Sequence, residues 1–469
     1  DRMFEEDPRQ SVRERNWFQV DWNLLALTLT YNISDRTQIN FRNYGLIAKR
    51  QSLGNLERIN ITDIGQDRTL ISGEFKNFGN ETRLLHRYTI GENINTFLVG
   101  FRYYEGHSTA QQGDANNSNG PDFEYLNPDH LENSDYKFPS RNIALFAEHI
   151  FQVHPKITIT PGIRFEHIQT FSEGYYRRFV KDFAGNIIYD STTVEELNNK
   201  RSFVIGGLGL SFKPNSKMEI YANFSQNYRA INFTDMRIQN PNFIIDPNIK
   251  DEKGFTADLG MRGSIQDKIT YELTLFAIKY NGRIGQVLRA DTPPLYIDYR
   301  FRGNISDARN IGIETFIEAD LFKVFGKKVD GFTWTIFNNF AFVDARYVNT
   351  EDKAIQGKKV EMAPPVILRS GTTVKYKPFS FTFQFSYTSE HFSDATNAEL
   401  TPTAVEGIIP SYKVADISMS YTWKMLTAEA SCNNLFNEQY FTRRAEAYPG
   451  PGIIPSDGRG FYFTLMLKL

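Results

Sequence analysis

Large apolar and polar residues alternate along this chain almost from end to end. In 411–423, Ala415, Ile417, Met419, Tyr421 and Trp423 share one side of an extended strand, while Asp416, Ser418, Ser420 and Thr422 share the other. The last ten residues, 460–469, repeat the pattern: Phe461, Phe463, Leu465, Leu467 and Leu469 oppose Tyr462, Thr464, Met466 and Lys468. Runs of this kind predict strands in pairs: 22–33 with 37–50, 83–90 with 95–107, 142–152 with 157–172, and 201–213 with 217–229. The series continues with 254–265 and 268–287, 305–321 and 332–347, 365–376 and 379–390, 411–423 and 426–442, then 460–469 alone. Within most pairs the link is short, as at Ser34-Asp35, His154-Pro155, Gln266-Asp267 and Lys377-Pro378; between pairs it is long.

That regularity selects a fold class. A strand buried in a sandwich rarely sets four polar residues opposite a large apolar face. A β-propeller would show a repeat of about 40–50 residues, which is absent. Lipid on one side and water on the other explains the alternation, and short turns at one end with long loops at the other belong to the same architecture. The expected fold is all-β, a transmembrane antiparallel β-barrel. The runs number seventeen. Single-chain bacterial barrels normally have an even number of strands and both termini at the short-turn end. Here the first strand starts from the long-loop end, so the expectation is that an N-terminal part of the barrel lies outside these 469 residues.

Composition sharpens this picture in three places. The 53 basic and 55 acidic side chains leave a net charge of −2, which gives no reason to expect nucleic acid as a partner. Mean hydropathy is −0.44, and no run approaches the roughly 18 apolar residues of a spanning helix. Only alternate barrel residues need face lipid, so low hydropathy is compatible with a barrel. Aromatic content is 14%, with 39 Phe and 24 Tyr, which suits membrane interfaces. Cys432 is the single cysteine, excluding an intrachain disulfide or a cysteine-based metal site. No signal peptide is visible at the charged start DRMFEEDPRQ.

Several passages resemble TonB-dependent outer-membrane transporters. They are NNLFNEQYF (433–441), TPGIRFEH (160–167), YANFSQNYRAINFTD (221–235), DPNIKDEKGFTADLGMRG (246–263), LTLFAIKYNGRIG (273–285) and NISDARNIGIE (304–314). Each is weak alone, but their order spans nearly the whole chain. The resemblance implies a 22-stranded barrel with a plug in its lumen, so that the first strand here would be the sixth. Residues 1–469 would then be the C-terminal part of the barrel, with the plug and first strands outside the chain. DPRQSVRERNWF (7–18) and YFTRRAEAYPGPGIIPSDGRGFY (440–462) are similar to the ferric-citrate-type branch.

This resemblance implies active transport of an iron chelate across the Gram-negative cell outer membrane, with extracellular loops capturing the ligand. Release is then driven by a TonB-type energy-coupling protein acting through the plug. Iron enters only as part of the chelate, and no cofactor is expected. Planar guanidinium forks suit the carboxylates of an anionic chelate such as ferric citrate. The candidate substrate-binding residues are Arg229, Arg237, Arg283, Arg289, Arg443 and Arg444, all placed near the long-loop end. Loop arginines also keep a surface soluble or bind lipopolysaccharide phosphates. The seven histidines show no HxxxH or HExxH spacing, and His391 with Asp394 or Glu105 with His107 lacks a nucleophile, so no enzyme is expected. The acidic loop 108–138 lacks the 1-3-5 spacing of a known calcium loop and reads as a solvated lid. Two alternatives stay open: a passive porin of 16 or 18 strands, and a structural barrel subunit of a larger outer-membrane complex.

Overall fold

The computed structural model describes residues 1–11, 13–55, 63, 65–181, 186–236, 243–289, 299–327, 329–350, 352–401, 405–445 and 452–468. A short helix, α1 (Arg2–Glu6), precedes β1 (Trp17–Ser34), β2 (Thr37–Gly54), β3 (Arg68–Ile90) and β4 (Asn93–Ala115). Next come β5 (Ser134–His154), β6 (Ile157–Lys181), β7 (Ile187–Asn215), β8 (Met218–Arg229), the turn of helix α2 (Phe233–Met236) and the short β9 (Phe243–Ile245). They are followed by β10 (Glu252–Ile265), β11 (Ile269–Arg289), β12 (Tyr299–Asp320), α3 (Leu321–Val324), β13 (Phe332–Asn349), β14 (Val366–Tyr376) and β15 (Phe379–Thr388). The two-residue β16 (His391–Phe392) and β17 (Ile408–Ile409) pair within a loop. The chain closes with β18 (Tyr412–Trp423), β19 (Leu426–Asn433), β20 (Phe441–Ala445), β21 (Gly452–Pro455) and β22 (Gly460–Leu467).

Seventeen long strands form one antiparallel meander from β1 to β22, and β9 joins it parallel to the start of β12. All seventeen runs expected from the sequence are present. Among the described residues, β1 pairs only with β2 and β22 only with β19, so these two strands are the edges of the sheet.

Register carries one face across the whole sheet. Leu84 lies opposite Val99, Leu145 opposite Phe165, Phe165 opposite Val204, Leu259 opposite Leu275, Phe381 opposite Met419, and Ala430 opposite Phe463. This face is bare: Val204 is 57% and Leu465 60% exposed. In water such exposure forfeits about 25 cal/mol per Å², whereas a lipid surround removes that cost. Between β2 and β19 each long strand has a hydrogen-bonded neighbour on both sides, as a hydrocarbon environment demands, and among the described residues only β1 and β22 have one.

The other face is polar and carries the ion pairs Arg83–Glu81, Arg164–Glu166 and, at 3.0 Å, Arg262–Glu219. It also carries rings laid over glycines directly opposite in register. A Cβ at Gly100 would come within 2.1 Å of the Phe146 ring, and one at Gly260 within 2.2 Å of Tyr221. Gly100→Ala must therefore turn Phe146 out of its rotamer, and overpacking of that order costs about 1–3 kcal/mol. The variant barrel should unfold at lower temperature in detergent than the parent, as read by heat-modifiable mobility on a gel. An unchanged transition would mean that the ring is not held against that wall.

Buried apolar clusters lie at the long-loop end. Val287, Ile305, Ala308, Ala345, Tyr347, Ile355, Val360 and Ala395 join loops to β11, β12 and β13. Ala110, Tyr136, Phe138, Ile231, Met236 and Ile284 seat the α2 segment on β4, β5 and β11.

Many strands outrun the sequence expectation, and they do so at this end. The run 83–90 is the tail of β3, which begins at Arg68; 201–213 is the tail of β7, which begins at Ile187. The segment 288–304, expected to be loop, already contains the first residues of β12. In the other direction, 426–442 is cut short: β19 ends at Asn433 because Asn434 and Asn437 adopt left-handed conformations at φ 51° and 55°. There the Asn434 side chain accepts from Glu438 N–H at 2.8 Å and donates to the Glu438 carbonyl at 2.9 Å, closing a turn.

Candidate functional site

At the loop end, between the two larger apolar clusters, lies a cavity of about 540 Å³. Its floor is the Ile284–Leu288 stretch of β11, with Arg229 from the last position of β8 and Arg300 and Arg302 from the start of β12. Asp235 of α2 closes one side; Glu361, Ser393, Asp394, Thr396 and Glu406 come from loops on the other. A cavity of this size suits a small ligand.

Strand periodicity sets the arginines. Arg300 and Arg302 are two residues apart and so share a face. Phe301 points the opposite way and supports the Arg289 guanidinium 3.7 Å above its ring. Arg302 itself lies 5.0 Å from the centre of the Phe243 ring, on β9. Arg229 donates through Nη1 to Glu252 at 2.9 Å and through Nη2 to both Asp235 carboxylate oxygens, at 2.8 and 3.0 Å. Burial alone would lower the pKa of Arg229, but Asp235 and Glu252 outweigh it and raise the pKa, so the cation is firmly held. Arg300 meets Glu406 at 3.0 Å. Among the described residues, the lining therefore combines three arginines with four carboxylates.

The six arginines expected from the sequence scatter around this site. Arg229 lines it. Arg283 stands behind it, donating to Glu361 at 2.8 Å and lying 5.7 Å from the Tyr347 ring centre, while Tyr347 holds the other Glu361 oxygen. Arg289 lines a neighbouring cavity of about 330 Å³ with Asn304, Asp307 and Asp352. Arg443 is exposed on β20. Arg444 is buried, donating to Asp1 at 2.7 Å and to the Ile408 carbonyl at 2.7 Å. Burial lowers its pKa, and its place is that of a latch between the last loop, the β17 loop and the N-terminal segment. Arg237 lies outside the described residues.

Arg300 and Arg302 are not among the six, because they fall between the expected strands 268–287 and 305–321; the alternation Tyr299-Arg300-Phe301-Arg302 is the signal the sequence offers for them. In the acidic loop, Glu132 accepts from Asp114 N–H and from Asn127, and Asp122 accepts from Ser118, so these carboxylates fix the loop itself. Among the described residues no group of three or more potential ligand side chains is placed to hold a metal ion. His391 is buried beside the cavity loops, its Nδ1 3.1 Å from the Ser389 carbonyl. Burial pushes its pKa below the ordinary imidazole value. The unfolded loop therefore takes up the proton first as pH falls. Stability is complete above about pH 6.5 and is lost as pH drops through the lower folded value. Protection factors of the amides in 391–397, exchange corrected for its intrinsic pH dependence, should fall as pH drops below about 6.5; protection factors independent of pH would contradict the burial of a neutral ring.

A family model described as TonB dependent receptor-like, beta-barrel matches residues 4–435. The chain is similar to the ferric citrate transporter FecA in its unliganded form, at 20% identity and TM-score 0.75, over 99% of this chain and 64% of that one. It is also similar to the ferric-catecholate import receptor Fiu from E. coli K12 in a closed form (15%, TM-score 0.69, 97% and 65%). The siderophore receptor PiuA from Acinetobacter baumannii matches likewise (15%, TM-score 0.70, 97% and 65%). The chain thus spans under two thirds of each of these proteins, and at such identities the likeness is one of fold.

Proposed function

The chain belongs to the TonB-dependent receptor β-barrel family of the Gram-negative outer membrane, and on that premise we propose that it takes up an anionic iron chelate of the ferric-citrate kind. The family consists of transporters rather than enzymes. The observation that carries the ligand reading is the loop-end cavity with Arg229, Arg300 and Arg302 on its walls. Guanidinium forks pair with carboxylates in two-pronged geometry, and a partly desolvated site strengthens such bonds. Arg302 on Phe243 and Arg289 on Phe301 are further held by ring faces, which orient the charge at little entropic cost. In this reading iron arrives and leaves inside the chelate.

Release would draw on a TonB-type coupling protein acting through a lumen-filling domain, which with the remaining strands of the barrel would be encoded outside these 469 residues. The two open sheet edges and the partial coverage of the related structures support that division. The intact receptor should accordingly have a mass well above the 54.1 kDa of this chain; a mass at that value would remove the plug from the account.

Cells carrying the gene should accumulate radioactive iron presented as ferric citrate, and a protonophore should abolish the accumulation. Equal uptake in a deletion strain would overturn the proposal. Uptake that survives the protonophore would favour a passive pore.

A further inference from the structure

We infer that in the unliganded receptor two of the protein's own carboxylates, Asp235 and Glu406, occupy the arginine positions that the carboxylates of the cargo take, so that binding proceeds by carboxylate exchange. The inference rests on the anionic-chelate reading above and concerns how that site is regulated.

The carboxylates around the cavity are not equivalent. Glu252 is the first residue of β10; its Oε1 accepts both Arg229 Nη1, at 2.9 Å, and the Ile284 backbone N–H, at 3.0 Å. It belongs to the sheet and fixes the Arg229 fork from behind. Glu361 is shared by Arg283 and the Tyr347 hydroxyl. Asp394 accepts the Thr396 and Ala398 backbone N–H groups, at 2.8 and 3.1 Å, and so serves its own loop. Asp235 and Glu406 differ from these in the arginine they hold, although Asp235 also accepts the Asn232 backbone N–H of its own segment at 3.0 Å. Asp235 sits on the one-turn helix α2 between β8 and β9, and gives both oxygens to the other arm of the Arg229 fork. Glu406 sits between β16 and β17 in the β15–β18 connection and meets Arg300. Each rides on a loop segment, and each places a carboxylate on an arginine that lines the cavity.

Such an arrangement has two consequences. It keeps the arginines compensated while the cavity is empty, since an uncompensated buried guanidinium is costly. It also lowers apparent affinity by the fraction of time the arginines are free. Cargo carboxylates that displace Asp235 and Glu406 free both segments, so ligand occupancy is read out as a change in two loops. Neutral or cationic chelates have no means of making that exchange.

Titration calorimetry with ferric citrate on the receptor purified from outer membranes in detergent tests this, using Asp235→Asn, Glu406→Gln and the double variant. Each single change should tighten binding, by up to about 10-fold if the protein's carboxylate holds its arginine about nine-tenths of the time, and the double variant should exceed both. Unchanged or weaker binding in the variants, with clear binding by the parent, overturns the exchange and leaves the ligand reading standing. No binding by the parent overturns both. Should Asp235→Asn fail to assemble, Glu406→Gln carries the same comparison.

Discussion

Changing Arg300 and Arg302 together to Ala is expected to weaken ferric citrate binding by about 10²–10⁴-fold while the barrel assembles normally. Each charge-assisted hydrogen bond to a carboxylate contributes about 1.5–3 kcal/mol. Two such bonds lost account for the range. The barrel should be indifferent because both residues lie in the first four positions of β12, above the lipid-facing register that begins near Ile311 and Ile313. The change does leave Glu406 without its Arg300 partner, which falls on a loop rather than on a lipid-facing strand. The measurement is calorimetry beside heat-modifiable mobility. Wild-type affinity in a folded double variant would remove these arginines from the site.

Arg229→Met is expected to act differently, through the fold of the loop end. The methionine keeps much of the aliphatic stem but strands two carboxylates, Asp235 and Glu252, whose side chains are 5% and 6% exposed. Deleting one partner of a fully buried pair leaves an uncompensated charge at a cost of about 3–5 kcal/mol; the Arg229 side chain is 39% exposed, so solvent screens the stranded carboxylates and about 1–3 kcal/mol is expected. Asp235 holds α2 through the Asn232 N–H and Glu252 holds Ile284 N–H, so the loss should spread to both segments. Amide exchange around 231–236 and 284 should rise by about one to two orders of magnitude, following the same free energy. The lipid-facing strands should keep their protection. Exchange that stays at the parental level would show that the Arg229 fork does not hold the loop end together.

The contrast between these variants follows from where sequence could and could not be read. The lipid-facing half of each strand was legible: Phe97, Val99, Phe101 and Tyr103 alternate because one side meets hydrocarbon and the other water. Turn ends were legible for the same reason, since Ser34-Asp35 or Lys377-Pro378 interrupts a strong period. Beyond the membrane both faces of a strand meet water or loops, and the period fades. Residues 68–82 of β3 and 187–200 of β7 extend there and read as loop. The same blindness hid Arg300 and Arg302. Arginine placement near the loop end was readable, as Arg229 shows, but partner choice was not. Whether Arg444 meets cargo or Asp1 depends on residues 443 positions away in sequence, brought together by loops. The turn in NNLFNEQYF was foreshadowed by its asparagines, which tolerate left-handed backbone and bond their own chain.

The most direct test of the central claim is an iron-edge anomalous difference map of receptor crystals grown with ferric citrate. One strong iron peak is expected inside the cavity bounded by Arg229, Arg300 and Arg302. A peak outside that cavity in crystals that clearly hold the chelate would contradict the claim.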